Sequence, residues 1–230
     1  MPQLPEMVQA LLNPKAYPEK SKGVELVQTQ MSFVFLTDDY VYKVKKSVNL
    51  GYLDYTTLEK RQFYCQREVE LNRRLCSGIY LGVMPIVKYR ANIVAKGQGE
   101  VVEYAVKMRR LPQEAMMDVL LDKNQVSAQM VVNVAQKLAE FHQKAETNAE
   151  ISTFGDLDTI TQNTEENFTQ TEKYIGSTIS QKQYHRIMNY TRAFIEKNAP
   201  LFRKRMTEGR IRDCHGDLHA AHICFTDGIC

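Results

Sequence analysis

The chain lacks several features that would assign it to a specialised class of protein. No apolar run approaches the ~20 residues that a membrane-spanning helix needs. The N-terminus has no basic stretch followed by an apolar core, as a signal peptide would. The formal net charge of +3 is small for 230 residues, so it gives no strong electrostatic case for nucleic-acid binding. These absences predict a soluble, cytoplasmic protein with no membrane or nucleic-acid partner.

Two further absences concern cysteine and glycine. The five cysteines are an odd number and show no disulfide-like framework, which fits a reducing cytosol. The motif G-x-x-x-x-G-K-[ST] occurs nowhere in the chain, which excludes a P-loop nucleotide site.

The pattern of apolar residues changes once along the chain. Residues 24–45 contain three short runs rich in Val, Tyr and Phe, which predict strands. A helix is predicted over 56–75, with a capping box from Thr56 to Glu59. Further strands are predicted at 84–94 and 101–108, and helices at 113–122, 126–146, 163–175 and 181–207. The sequence therefore predicts an α+β fold, with a β-rich part followed by a helical part.

Side chains that commonly bind metals are concentrated in "DCHGDLHAAHICF", residues 213–225. On a helix, His215, His219 and His222 would share one face, as zinc ligands often do. Gly216 argues against a helix there.

The flanking residues also argue against zinc. The preceding "RIRDC" (210–214) predicts a strand that enters a turn, and Cys214 and Cys224 alternate with apolar residues as buried strand residues do. The spacing matches no common zinc signature. A zinc site is the less favoured alternative.

Residues 215–223, "HGDLHAAHI", resemble the catalytic loop of the aminoglycoside phosphotransferase-like kinases. Phosphoryl transfer needs a carboxylate that takes the proton of the acceptor hydroxyl, and metal ligands nearby. The resemblance implies that Asp217 is the catalytic base and that His215 braces the loop. It covers nearly the whole chain and is strongest in 30–75 and 211–225.

A kinase-like N-lobe needs a strand lysine that contacts the phosphates and a helix glutamate that holds it. Lys43 and Lys45 lie on the same face of the third predicted strand, because strand side chains repeat every two residues. The resemblance favours Lys43, with Lys45 as the alternative. Glu68 is predicted to share the inward stripe of its helix with Tyr64, Cys65, Leu71 and Leu75, whereas Glu70 faces solvent.

The resemblance also implies the other nucleotide contacts. "YAVKMRRLP" (104–112) is similar to the strand that leads into the hinge, with Met108 near the adenine pocket and the backbone around Arg110 facing the base. "QTQMSF" (28–33) lacks the G-x-G-x-x-G of protein kinases, so its backbone amides and Ser32 are expected to cover the phosphates. The implied cofactors are ATP or GTP with Mg²⁺.

The chain departs from the family at two places. His222 stands where the family usually has an Asn that binds Mg²⁺, and imidazole suits softer ions such as Mn²⁺. Three interpretations stay open: His222 binds the metal weakly, the second Mg²⁺ is lost, or this subgroup uses a different geometry. His222 is the candidate metal ligand under the first of these. The last residues, 223–230, predict a β-hairpin that stops before the family's second metal-binding Asp.

Taken together, these patterns predict a protein-kinase-like bilobal fold, with an N-lobe at 1–108 and a mostly helical C-lobe at 109–230 that is incomplete at its C-terminal end. The predicted function is phosphorylation of a hydroxyl group on a small molecule, with residues 147–180 shaping the acceptor pocket. A further C-terminal region is expected in a longer protein, and this chain alone is expected to show little phosphoryl transfer. The alternative is a catalytically weak or inactive nucleotide-binding or regulatory module.

Overall fold

The computed structural model describes residues 4–226 and 228–230, which form an α+β fold. This part of the chain contains six strands: β1 (Glu25–Gln28), β2 (Ser32–Leu36), β3 (Tyr40–Lys45), β4 (Tyr80–Tyr89), β5 (Asn92–Val94) and β6 (Glu100–Arg109). It also contains eight α-helices: α1 (Glu6–Leu11), α2 (Leu58–Arg73), α3 (Met117–Asp122), α4 (Ala128–Lys144), α5 (Ala149–Thr153), α6 (Leu157–Thr171), α7 (Gln181–Lys197) and α8 (Ala199–Thr207). None of these helices is long and apolar enough to cross a membrane.

The chain divides into two compact units. The first comprises Met1–Val134 together with Leu218–Cys230, and the second comprises Ala135–Asp217. The division that the sequence predicts after residue 108 lies inside the first unit.

The first unit is built on one antiparallel sheet with the strand order β1-β2-β3-β6-β4-β5. The predicted strands in 24–45 are confirmed. The predicted strand 84–94 is wrong as a single element, because the chain turns at Arg90, which has φ 54°. One sheet face carries the main core, in which α1 packs with Phe35, Tyr42, Val44 and Ile86.

Helix α2 covers part of the other sheet face. Its buried residues Arg61, Cys65 and Val69 are spaced by four, so they lie on one side of the helix. Cys65 and Val69 pack against Val106 of β6.

The predicted capping box of α2 is wrong by one residue. The hydroxyl of Thr57 accepts the backbone N–H of Lys60, whereas the hydroxyl of Thr56 donates to the Asp54 carboxylate. Thr57 is therefore the N-cap.

The second unit contains helices and connecting segments. The predicted helix 181–207 is two helices, because α7 ends at Lys197 and Pro200 lies in the first turn of α8. Proline is tolerated in a first turn but not inside a helix, where it removes a backbone hydrogen bond.

The strand predicted at 210–214 is also wrong. None of residues 135–217, all of which are described, belongs to a β-strand, so the segment has no neighbour to pair with. It instead bonds to the chain just after α4. The backbone N–H of Asp213 donates to the Glu146 carbonyl at 2.9 Å, and the Arg212 guanidinium donates to the Ala145 carbonyl at 2.8 Å.

The predicted hairpin at 223–230 is present as one antiparallel bridge between Phe225 and Ile229, flanked by two backbone hydrogen bonds that join Cys224 and Cys230. Asp227, in the predicted Asp-Gly turn, lies outside the described residues.

The cysteines differ from expectation in two respects. Cys76 and Cys230 lie side by side, with their Cα atoms 5.1 Å apart, a separation that suits a disulfide although the sequence shows no disulfide-like framework. They are 154 residues apart in sequence, and such pairings cannot be deduced from spacing. Cys224 is buried as predicted, whereas Cys214 is exposed.

A buried ion pair joins α2 to β6. The Arg61 Nε lies 2.8 and 3.0 Å from the two Glu103 carboxylate oxygens, and the guanidinium also donates to the carbonyls of Tyr55 and Thr56. Both side chains are at most 10% exposed. Sequence analysis did not identify this pair, since most Arg and Glu residues face solvent.

We predict that Arg61→Met lowers the free energy of unfolding by about 3–5 kcal/mol, because Glu103 is left as a buried, uncompensated charge. The matched control is Arg67→Met on the same helix, which removes an exposed pair with Glu70 and should cost about 1 kcal/mol or less. Urea denaturation of both variants measures the difference. Equal losses would contradict a special role for the Arg61–Glu103 pair.

Candidate functional site

The most highly charged buried cluster described in the first unit is centred on one carboxylate. Glu68 of α2 bonds to two lysines of β3: its Oε1 lies 2.9 Å from the Lys43 Nζ, and its Oε2 lies 2.6 Å from the Lys45 Nζ. The structure therefore brings Glu68 to the predicted Lys43 and also to Lys45, which sequence analysis kept as the alternative. We call these three residues the clamp.

The members of the clamp differ in exposure. The side chains of Glu68 and Lys45 are 14% and 4% exposed, whereas that of Lys43 is 33% exposed. Lys45 also lies over the ring of Tyr55, 4.8 Å from its centroid. Tyr55 is a contact that sequence analysis missed, since nothing in the loop before α2 marks it.

Mutual attraction keeps the clamp charged. Burial alone would raise the pKa of Glu68, but Lys43 and Lys45 outweigh it and hold that pKa below its usual range. Burial alone would lower the pKa of Lys45, but the Glu68 carboxylate outweighs it and raises that pKa. At neutral pH the clamp therefore holds two ammonium groups and one carboxylate.

An apolar strip continues from the clamp along the same sheet face. Strand register places Val34 opposite Lys43, and Val41 opposite both Leu36 and Met108. Residues directly opposite each other on antiparallel strands project to the same face. Val34, Leu36, Val41 and Met108 are all partly accessible. This face therefore offers a flat apolar surface beside a cation.

Two backbone N–H groups of the β1–β2 turn donate to an acceptor within the turn itself. The hydroxyl of Thr29 accepts the backbone N–H groups of Ser32 at 2.9 Å and Met31 at 3.3 Å, and Lys46 donates to the Thr29 carbonyl. Ser32 is only 2% exposed. In this conformation neither amide is available to a phosphate group.

The predicted hinge residue Arg110 is also engaged. Its backbone N–H donates to the Asp39 carbonyl at 2.9 Å, and its guanidinium donates to the Thr37 carbonyl at 2.8 Å. Its N–H is therefore not a free donor for a base.

The loop that carries the predicted base contains a left-handed residue. Gly216 has φ 78°, a conformation that side chains with a Cβ rarely adopt. The two residues that flank Gly216 are bonded to each other: the Asp217 backbone N–H donates to the Nδ1 of His215 at 3.3 Å. The sequence His-Gly-Asp thus forms a local turn in which the His215 ring supports the Asp217 backbone.

The short segment 217–222 contains a possible metal-binding group. The rings of His219 and His222 have centroids 3.8 Å apart, and the ligand atoms of Asp217, His219 and His222 all lie within 4.8 Å of one another. All three side chains are exposed, and exposed groups of this kind are common without an ion. The geometry alone therefore assigns no metal.

The second unit has an apolar cavity of about 350 Å³ between α6 and α7. Its eight described lining residues, Asn167, Phe168, Thr171, Tyr174, Thr178, Ile179, Tyr184 and Ile187, include no charged side chain. Several lie in the segment 147–180 that was predicted to shape an acceptor pocket. Such a lining suits an uncharged ligand better than a polycation.

Comparisons with known proteins identify relatives without a described activity. The chain is 29% identical, over 205 residues, to uncharacterized proteins of Mycobacterium tuberculosis and Mycobacterium bovis. The match covers 89% of this chain and 40% of each relative, so the chain spans well under half of their length. No family model matches the chain, and no solved structure matches it.

The depressed pKa of Glu68 makes the clamp sensitive to acid. A carboxylate whose pKa is lower in the folded state stabilises that state above its unfolded pKa, and this stabilisation is lost as pH falls through the folded pKa. At pH 7 we expect Glu68→Gln to cost about 3 kcal/mol, because two ammonium groups lose their counter-ion. The cost should shrink below about pH 4.3, the ordinary pKa of Glu.

Urea denaturation at pH 7 and pH 3.5 tests this expectation. The matched control is Glu70→Gln, whose side chain is 66% exposed and should change stability by about 1 kcal/mol or less. A cost of Glu68→Gln that is the same at both pH values would contradict the charged clamp.

Proposed function

We propose that the chain is an ATP- or GTP-dependent phosphotransferase with a protein-kinase-like bilobal fold, which acts on a hydroxyl group of a small molecule. The observation that carries this proposal is the pairing of Glu68 with Lys43 at 2.9 Å. The catalytic-loop motif 215–223 led us to expect a lysine–glutamate pair, and the two partners come from a strand and a helix 25 residues apart.

The surroundings of the clamp support a nucleotide in particular. The partly exposed Lys43 offers a positive charge to phosphate groups, and the apolar strip of Val34, Leu36, Val41 and Met108 offers a surface for a purine base. A cation next to a flat apolar surface suits a ligand with an aromatic end and an anionic end. Met108 keeps the role that the sequence gave it, near the base.

In the proposed reaction Asp217 accepts the proton of the acceptor hydroxyl while that oxygen attacks the terminal phosphorus. The bond from that phosphorus to the bridging oxygen breaks, and the nucleoside diphosphate leaves. His215 holds the Asp217 backbone in position through the hydrogen bond at 3.3 Å.

A divalent cation, when bound with the nucleotide, supplies neutralisation of the charge on the phosphates. In segment 217–222 the imidazoles of His219 and His222 would hold such an ion, because Asp217 is kept as the base. This set is richer in nitrogen than Mg²⁺ prefers and suits Mn²⁺ better. His222 is the ligand that the family resemblance implies.

One observation favours the alternative, a weakly active or inactive nucleotide-binding or regulatory module. The amides of Met31 and Ser32, which would cover the phosphates, are bonded to the Thr29 hydroxyl. A turn that must first break these bonds binds phosphate less tightly than a preformed one. The chain also spans only 40% of the length of its relatives, so the activity of a whole protein of that kind is a separate proposal.

We predict that ATP with a divalent ion raises the melting temperature of the protein, because it binds the folded state preferentially. At 100 times Kd the increase should be about 5–10 °C for a chain of this size. Lys43→Ala should lose this increase, whereas the control Lys88→Ala, a surface lysine of β4 paired with Glu6, should keep it. An undiminished increase in Lys43→Ala would contradict the assignment of Lys43.

The same protein samples distinguish the enzyme from the module. Transfer of the terminal phosphate to small alcohols is expected to be weak for this chain, and Asp217→Asn should lose what transfer there is while the ATP-induced thermal shift persists. A wild-type protein that binds ATP but transfers no phosphate to any acceptor would favour the module.

We further predict that Mn²⁺ supports nucleotide binding better than Mg²⁺, and that the preference grows above about pH 6.5, where imidazole is neutral. His222→Asn should restore the preference for Mg²⁺, because an amide oxygen is a harder ligand. Thermal shifts with each ion at pH 6 and pH 8 provide the measurement. Identical behaviour of the two ions in both proteins would show that His222 is not a ligand.

A further inference from the structure

We propose that the two lysines of the clamp have different roles: Lys45 is the permanent counter-ion of Glu68, and Lys43 is the cation that the clamp presents to the phosphate groups. Lys45 is thus a positioning residue, which acts through Glu68 and Lys43 rather than on the nucleotide. This inference rests on the proposed nucleotide binding and adds to it a residue whose function can be tested separately.

The charges of the clamp are the first argument. A single lysine paired with a single glutamate is neutral, so the pair offers no net positive charge to a phosphate group. Here each Glu68 oxygen has its own ammonium group, at 2.9 Å and 2.6 Å. Two positive charges on one negative charge leave a net positive charge that can attract an anion while Glu68 stays neutralised.

The difference in burial decides which lysine the clamp presents. Lys45 is 4% exposed, has the shorter bond to Glu68, and is covered by the ring of Tyr55. It cannot reach a solvated anion without giving up all of these contacts. Lys43 is 33% exposed and has the longer bond to the same carboxylate.

The neighbours of the two lysines on the sheet support the same assignment of roles. Lys43 lies between Val34 and Val106, in the row next to Val41 and Met108, so it borders the apolar strip. Lys45 lies opposite Ser32, whose side chain is buried and whose backbone N–H donates to Thr29, so this end of β3 offers no free donor to a phosphate group in this conformation. A base on the apolar strip would therefore place its phosphates within reach of Lys43 first.

The test is the affinity for ATP with Mn²⁺, measured by isothermal titration calorimetry on variants whose folding is checked by circular dichroism. Lys43→Met should weaken binding about 100-fold. Lys45→Met should weaken it about tenfold, because Lys43 then becomes the sole counter-ion of Glu68 and is held away from the phosphates. Lys88→Met is the control and should bind as the wild type does.

A double variant makes the test specific. Adding Glu68→Gln to Lys45→Met should restore most of the affinity, since a neutral amide needs no counter-ion and frees Lys43. The same addition to Lys43→Met should restore nothing. A general structural role for Lys45 would not be rescued by removing a second charge.

If Lys45→Met does not fold, Lys45→Arg serves in its place. Arginine keeps the positive charge on Glu68, so Lys45→Arg should retain most of the affinity, whereas Lys43→Arg should lose much of it because the fork of a guanidinium differs from a single ammonium.

Three results would overturn the inference. The first is normal binding by Lys45→Met, the second is no rescue by Glu68→Gln, and the third is loss of binding in the Lys45 variants with normal binding by Lys43→Met. If the wild type binds neither ATP nor GTP, the proposed function is overturned as well. This result is distinct from the other three because it does not depend on any substitution.

Discussion

The arrangement of the first unit depends on the ion pairs that the Glu68 carboxylate makes. This carboxylate bonds to both lysines of β3, while Arg61, two turns earlier on α2, bonds to Glu103 of β6. The helix is thus fixed to two adjacent central strands, with the apolar contacts of Cys65 between the two anchors. Buried charges contribute little net stability when paired but cost much when one partner is lost. These pairs therefore fix the register of α2 on the sheet, and hydrophobic packing supplies most of the stability.

The sequence could predict those parts of the site that depend on residues close together in the chain. The inward position of Glu68 and the shared face of Lys43 and Lys45 depend only on helix and strand periods, and both were predicted. The predicted stripe was less accurate at Tyr64, which is 37% exposed, because the buried face is centred on Cys65 instead. Arg61 was missed although it lies four residues before Cys65 on that face. The available signal was that Arg61 lies on the inward face of its helix, and that a predicted strand carries the opposite charge of Glu103.

The predictions that failed required knowledge of distant partners. The segment 210–214 has the composition of a strand, yet hydrogen bonds join it to residues 143–147, and no described residue of its unit belongs to a β-strand. Cys76 and Cys230 are separated by most of the chain, so their pairing left no mark in the spacing. The break before α8 was a local error, and Pro200 was sufficient to predict it.

The proposed anion site at the clamp is compatible with a net charge of only +3. Overall charge governs long-range attraction, whereas binding depends on the few charges that are held close to the ligand and partly shielded from water. In the clamp, one carboxylate is neutralised by a buried ammonium group, and the second ammonium group remains for a ligand. This arrangement concerns binding alone. The proposed chemistry needs a base, which we assign to Asp217, so the proposed nucleotide binding would persist in a protein that has lost catalysis. The enzyme and the binding module therefore share the clamp and differ in what the loop around Asp217 can do.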